Sequence, residues 1–207
     1  MGFCLLNNIA VTAATLRARG ERVAIVDWDA HHGNGTQDCF YADPRVLYVS
    51  MHEFPLYPGT GRLDDTGTGA GEGATVNFPF PAGTTGDAYL AAVDELVGPV
   101  AETFAPTWLL LSAGFDAHRA DPLTGLGLQS GDFADLAKRV QELAPAGRTV
   151  AFLEGGYDLE ALRDSVAATA SALVGGSRRP EPATAGGPGA VIVRAVHDLH
   201  DPDALAG

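Results

Sequence analysis

Arg22 to Trp28 reads RVAIVDW, a nearly continuous apolar run rich in β-branched residues and closing on an acid. Such a run suits a strand buried on both faces of a parallel sheet, because a strand with one wet face would alternate apolar and polar. The pattern recurs at Val46 to Met51 (VLYVSM), Thr107 to Ser112 (TWLLLS) and Thr149 to Leu153 (TVAFL). Helical spacing fills the intervals: residues 3 to 18, stopped by Gly20; Gly86 to Phe104, with Asp87 near its start; and Ser130 to Leu143. Asp158 to Val174 follows, closing at Gly175-Gly176, and Ala190 to His200 forms a short last helix. Strands alternating with helices predict an α/β domain with a mainly parallel sheet flanked by helices.

Two stretches fall outside this alternation. His52 to Gly73 is long and rich in Gly and Pro, which marks either a functional loop or a disordered one. Residues 177 to 189 shift to Arg, Pro, Gly and Ala and read as a surface linker. The chain therefore divides into a main domain over 1–176, a linker over 177–189, and a terminal helix and tail over 190–207. With 207 residues and 46% hydrophobic content there is enough for one real core. The first residues, MGFCLLNNIA, open inside a helical pattern without a leading strand, so the expected domain is incomplete at its N-terminus.

Composition excludes some partners. The formal net charge is -13, and phosphate backbones are gripped by clustered Lys and Arg, so no nucleic-acid partner is expected. No apolar run approaches the ~20 residues that span a bilayer, and no membrane partner is expected either. Cys4 and Cys39 form neither a disulfide framework nor a CxxC site, and they read as reduced thiols of a cytoplasmic protein. Oligomeric state is left open.

The chemistry concentrates where the strands end, which is where parallel sheets bind ligands. The first run leads into Asp27-Trp28-Asp29-Ala30-His31-His32, and the second into Ser50-Met51-His52. The third leads into Ser112-Ala113-Gly114-Phe115-Asp116, and the fourth into Glu154-Gly155-Gly156-Tyr157. On an extended segment Asp29 and His31 share a face, so a carboxylate and an imidazole can reach one cation. Asp116 would complete a three-ligand set with an open position, the usual arrangement of catalytic zinc. The same mixed shell accepts Fe(II), Co(II) or Mn(II). Bland readings stand beside this one. An Asp-x-His recurs by chance, Asp116 could cap a helix, Gly155-Gly156 could be an ordinary turn, and Tyr157 could be a packed aromatic.

Five stretches together resemble one family. They are MGFCLLNN at the start, DWDAHHGNGTQ (Asp27 to Gln37), SMHEFPLYPGTG (Ser50 to Gly61), SAGFDAHRADPL (Ser112 to Leu123) and LEGGYDL (Leu153 to Leu159). In this order and spacing, over residues 1 to 174, the chain resembles the histone deacetylases, notably the class II and bacterial deacetylase or acetylpolyamine amidohydrolase branch. The resemblance implies an arginase/deacetylase-like fold and one zinc ion held by Asp29, His31 and Asp116. It implies Tyr157 as the residue stabilising the transition state, with Gly155 and Gly156 giving that tyrosine room. Asp27 and Ser50 match positions beside a structural potassium ion, and Phe3 and Tyr57 match aromatic walls of the substrate channel. Asn34 stands where members carry either Asp or Asn.

The implied reaction is hydrolysis of an acetylated amine, on protein lysine or on a polyamine. The family also places a tandem histidine pair ahead of the GFC motif, and this chain begins at that motif. His32, His52, His118, His197 and His200 do not match the pair. Impaired turnover is the resulting expectation, the alternative being a chain that binds metal or a partner without turnover. A binuclear manganese hydrolase of arginase type would want more bridging aspartates than SAGFDAH supplies.

Overall fold

The computed structural model describes residues 5–200. Its strands are β1 (Val23–Asp27), β2 (Val46–Glu53), β3 (Thr75–Phe80), β4 (Trp108–Ala113) and β5 (Thr149–Leu153). They form one parallel sheet in the order β3-β2-β1-β4-β5. The apolar runs behave as double-sided strands should: every residue of β1, β2 and β3 is buried. The remaining strand, β3 (TVNFPF), has no clear signature in the sequence, because Pro79 and Asn77 interrupt its apolar character. At the sheet's edge a proline is tolerated, since no outer neighbour requires its N–H.

The helices are α1 (Asn8–Ala18), α2 (Asn34–Phe40), α3 (Gly86–Ala92), α4 (Gly98–Phe104), α5 (Ser130–Val140), α6 (Leu159–Leu173) and α7 (Ala190–His200). The predicted single helix over Gly86 to Phe104 divides in three. Val93–Val97 widens into a π-helical turn just before Gly98-Pro99, where the proline supplies no N–H to continue the ordinary ladder. Alternation along β1 sends Ala24 and Val26 into the larger core, with α3, α5, α6 and α7. Val23 and Ile25 face the smaller core, with Ile9, Ala13 and Leu16 of α1 and Phe40 of α2. The result is a three-layer α/β/α sandwich. No helix among the described residues is long and apolar enough to cross a membrane.

The path of the chain sets up a crevice. From β1 it steps outward to β2 and β3, then returns to lay β4 on the other side of β1. Strand order reverses between β1 and β4, and the loops leaving them part in opposite directions there.

The two irregular stretches are both ordered. The loop after β2 contains a 3-10 turn, Gly69–Gly71, and at Gly67 (φ 109°) a Cβ would strike the Gly71 carbonyl. Residues 177–189 have no regular structure yet are tied to the domain. The Asp132 carboxylate accepts from the Thr184 N–H (2.7 Å) and hydroxyl (2.8 Å), and Thr184 Oγ1 accepts from the Gly86 N–H at 2.9 Å. Arg179 meets Asp135 through both guanidinium arms, and the Gly186 and Gly187 N–H groups reach Asp87 and Thr85.

Candidate metal centre

Asp29, His31 and Asp116 meet at the β1/β4 crevice. One oxygen or nitrogen from each lies within 4.8 Å of the others, and Asp116 is fully buried. His31 Nδ1 is 2.9 Å from Asp116 Oδ2 and 3.2 Å from Asp29 Oδ1. The remaining carboxylate atoms are held by main-chain donors. Asp116 Oδ1 accepts from the Ala30 N–H at 2.8 Å, and Asp29 Oδ2 from the Gly155 N–H at 2.8 Å. The loops after β1, β4 and β5 therefore fix one another through the candidate ligands themselves.

Glycine makes this approach possible. A Cβ at Gly155 would collide with the carboxylates of Asp116 and Asp29, and one at Gly114 would collide with Asp29. Gly156 has φ 141°, a backbone region that favours glycine, and lets the chain turn sharply into Tyr157. Tyr157 is partly exposed, and its N–H is held by Asp121 Oδ2 at 2.7 Å.

The electrostatics call for a cation. Asp29 and Asp116 flank the imidazole of His31, and Asp27 and Glu154 add further negative charge beside Asp29. The His31 pKa is raised far above its usual value, chiefly by the hydrogen bonds to Asp116 and then Asp29. Burial, followed by repulsion from Asp29, raises Asp27 and Asp116 despite hydrogen bonds that oppose it. Glu154 is raised by burial and again by Asp29. His31 Nδ1 thus lies within hydrogen-bond distance of both carboxylates. Buried charges of one sign are tolerated only when paired or bound to metal, and a divalent cation would satisfy this donor set directly. The residues fit the group.

Of the other sequence candidates, Asp27 and Ser50 are register neighbours on β1 and β2. Asp27 accepts from the Asp29 N–H at 3.1 Å and the Tyr48 hydroxyl at 3.2 Å, while the Ser50 hydroxyl lies 2.9 Å from His52 Nδ1. Tyr57 is 59% exposed on the loop after β2. Phe3 lies outside the described residues. The neighbouring histidines 31 and 32 diverge: His32 turns to the Thr60 hydroxyl (2.7 Å) and Gln37 Oε1 (3.0 Å). Both nitrogens of His52 are used as well, the second on the Gly61 carbonyl at 2.9 Å.

Asp121 is a site residue that the sequence reading missed. Asp121-Pro122 signals a turn, and Oδ1 does accept from the Leu123 N–H at 3.0 Å. That its second oxygen would reach Tyr157, 36 residues onward, has no local signal.

Comparison with known proteins converges on one group. Residues 1–173 match the family model described as histone deacetylase domain. A "probable deacetylase" of Archaeoglobus fulgidus is 50% identical over 163 residues, covering 77% of this chain and 45% of the relative. "Histone deacetylase 10, chloroplastic" of Oryza sativa subsp. japonica is 48% identical over 180 residues, covering 84% and 41%. The chain thus spans less than half the length of these curated relatives. Among solved structures, the HDA15 HD domain superposes with a TM-score of 0.86 at 38% identity, covering 97% of this chain and 56% of that one. The histone deacetylase Clr3 gives 0.87 at 38% identity, covering 96% and 36%.

Proposed function

This chain belongs to the histone deacetylase family, and we propose that it is the metal-binding portion of a zinc-dependent amidohydrolase. Its substrates in this reading are acetyl-lysine, acetylated polyamines or other small amides. The observation that supports it best is the meeting of Asp29, His31 and Asp116 at the β1/β4 crevice.

Zinc in this position would supply Lewis acidity, polarising an acyl carbonyl and making water more acidic. The protein's own residues would do the rest. Gly155 and Ala30 aim the carboxylates through their N–H groups, and His31 presents its Nδ1 to both. The Tyr157 hydroxyl would donate to the oxygen that gains charge in the transition state, with Asp121 holding its turn. Asp27 and Ser50 are the candidates for a structural potassium ion, and Phe3 and Tyr57 for the channel walls. The cytoplasm is the compartment this reading favours, on cysteine usage, and acetylated amines the partner class.

Among the described residues, the buried histidines beyond His31 offer no free nitrogen to serve as general base. His32 and His52 are engaged through both nitrogens, and His118 donates to Glu181 while accepting from the Ala120 N–H. General acid–base groups typically contribute ~10²–10⁴-fold, so turnover by this chain alone should be close to background. This engagement also favours the second reading, a chain that binds metal or a partner without turnover. Metal content and acetyl-lysine peptide turnover of the purified protein test both. We expect one divalent ion per chain, lost in His31→Ala and Asp116→Ala with circular dichroism unchanged. Equal metal content in both variants would refute the ligand assignment. Vigorous turnover by the unaltered chain would refute this reading of the histidines.

A further inference from the structure

The loop from Asp116 to Leu128 carries a candidate ligand at its start and, through Asp121, the support of Tyr157. Its shape depends on His118. The His118 carbonyl accepts from the Asp121 N–H at 2.8 Å, and Leu128 closes the loop by donating its N–H to Ala117. His118 is buried, and its Nδ1 accepts from the Ala120 N–H at 3.1 Å. The proton must then sit on Nε2, which donates to Glu181 Oε2 at 2.8 Å. The same oxygen accepts from the Ser130 N–H at 3.0 Å, and the Glu181 N–H donates to Ser130 Oγ at 3.1 Å. Glu181 is 63 residues from His118, in the irregular segment that follows α6. The family match ends at residue 173, so this contact is made by sequence beyond the matched domain.

We infer that Glu181 is a positioning residue for the metal centre, acting through His118 on the loop that presents Asp116 and steadies Tyr157. The inference rests on the metal-site reading above. If Glu181 is removed, the buried His118 Nε2–H loses its acceptor and the Ser130 N–H at the start of α5 loses its partner. A buried donor without a partner drives rearrangement. The rearrangement falls on the segment two residues from Asp116. Groups that orient metal ligands from behind typically govern affinity by 10–100-fold. A contact serving stability alone would lower the melting temperature without changing the metal's surroundings.

The test uses the full chain, its zinc dissociation constant measured against a chromophoric chelator, and the visible spectrum of the cobalt(II)-loaded protein. Glu181→Ala should weaken zinc at least tenfold and alter the cobalt bands. Glu181→Gln, whose single oxygen can take both donors now on Oε2, should stay within about threefold of wild type. If Glu181→Ala does not fold, Glu181→Asp decides, because it keeps the charge but withdraws the acceptor by one methylene. Wild-type affinity and spectrum in the folded Ala variant, or in the Asp variant where Ala fails, overturn the inference. A wild-type chain that binds neither zinc nor cobalt overturns the metal-site reading itself and the inference with it. A lower apo melting temperature with unchanged affinity assigns Glu181 to stability alone and also overturns it.

Discussion

The sheet has two edges, and they differ in kind. β3 is buried along its whole length, with α7 and α3 packed against it and the loop after β2 folded near its start. β5 is half-exposed throughout, and Leu153 is 62% exposed. Its N–H and C=O groups at Thr149, Ala151 and Leu153 alternate away from β4 toward an edge with no partner strand among the described residues. The candidate ligands grow from the inner strands β1 and β4, whereas Tyr157 hangs from the end of β5. The candidate metal ligands therefore stand on the best-packed part of the molecule, and Tyr157 on the least covered. This asymmetry predicts that metal binding tolerates damage at the β5 edge better than any step needing Tyr157.

The largest difference should appear in stability. Phe78, fully buried on β3, stacks on Phe80 at 5.9 Å between ring centroids. Removing a buried phenylalanine typically costs ~3–5 kcal/mol, so Phe78→Ala should shift urea unfolding by about that much. Leu153→Ala on β5 removes a side chain still mostly in water, and it should cost no more than about 1 kcal/mol. Equal losses at the two positions would erase the distinction between the edges.

The second expectation concerns pH. His52 lies on β2 opposite Pro79 of β3 and is fully buried. Burial, helped by the nearby His32, lowers its pKa to about 3 although the Gly61 carbonyl opposes this. Above pH ~6.5 the folded and unfolded chains both hold it neutral. Between there and about 3 only the unfolded chain takes up the proton, so stability falls as pH falls, by about 1.4 kcal/mol per unit. Asp116 and Asp27, with raised values, gain protons earlier in the folded state and oppose this slope. The measurement is therefore a difference: wild type against His52→Gln, unfolded in urea at pH 7, 6 and 5. The variant should lose stability less steeply on acidification, and parallel slopes would show that His52 does not titrate this way.

What the sequence made legible follows the same division. Four strands announce themselves because double-sided burial leaves unbroken apolar runs. β3, equally buried, hides behind Pro79 and Asn77, whose polar or N–H-less character an edge position accommodates. At the site, Asp29, His31 and Asp116 are readable because each follows a strand end, and the resemblance to a known family made them specific. Asp121 and Glu181 are not readable, because their partners lie 36 and 63 residues away and short-range pattern carries no information at that distance. The segment over 177–189 has the composition of a linker for a related reason. It is held by hydrogen bonds to Asp132, Asp87 and Ser130 rather than by apolar burial, so hydropathy does not register its attachment.

The smallest expected effect tests the β5 edge directly. An exposed strand with unpaired main-chain groups and apolar side chains invites another strand, and natural edges commonly block this with a lysine. β5 has no such residue between Thr149 and Leu153, and further apolar side chains lie exposed at Val11, Leu159 and Val166. The isolated chain should therefore associate as concentration rises, seen as a growing weight-average mass in sedimentation equilibrium. Leu153→Lys places a charge on the open edge at little cost to the fold and should shift the association constant toward monomer by about tenfold or less. An equivalent lysine at exposed Val191, on the α7 helix packed against β3 at the other edge, should leave association unchanged. If the unaltered chain is monomeric at all concentrations, β5 is protected in solution and the contrast between the edges is smaller than their burial suggests. If Leu153→Lys and Val191→Lys weaken association equally, self-association is a matter of net charge, and β5 has no special part in it.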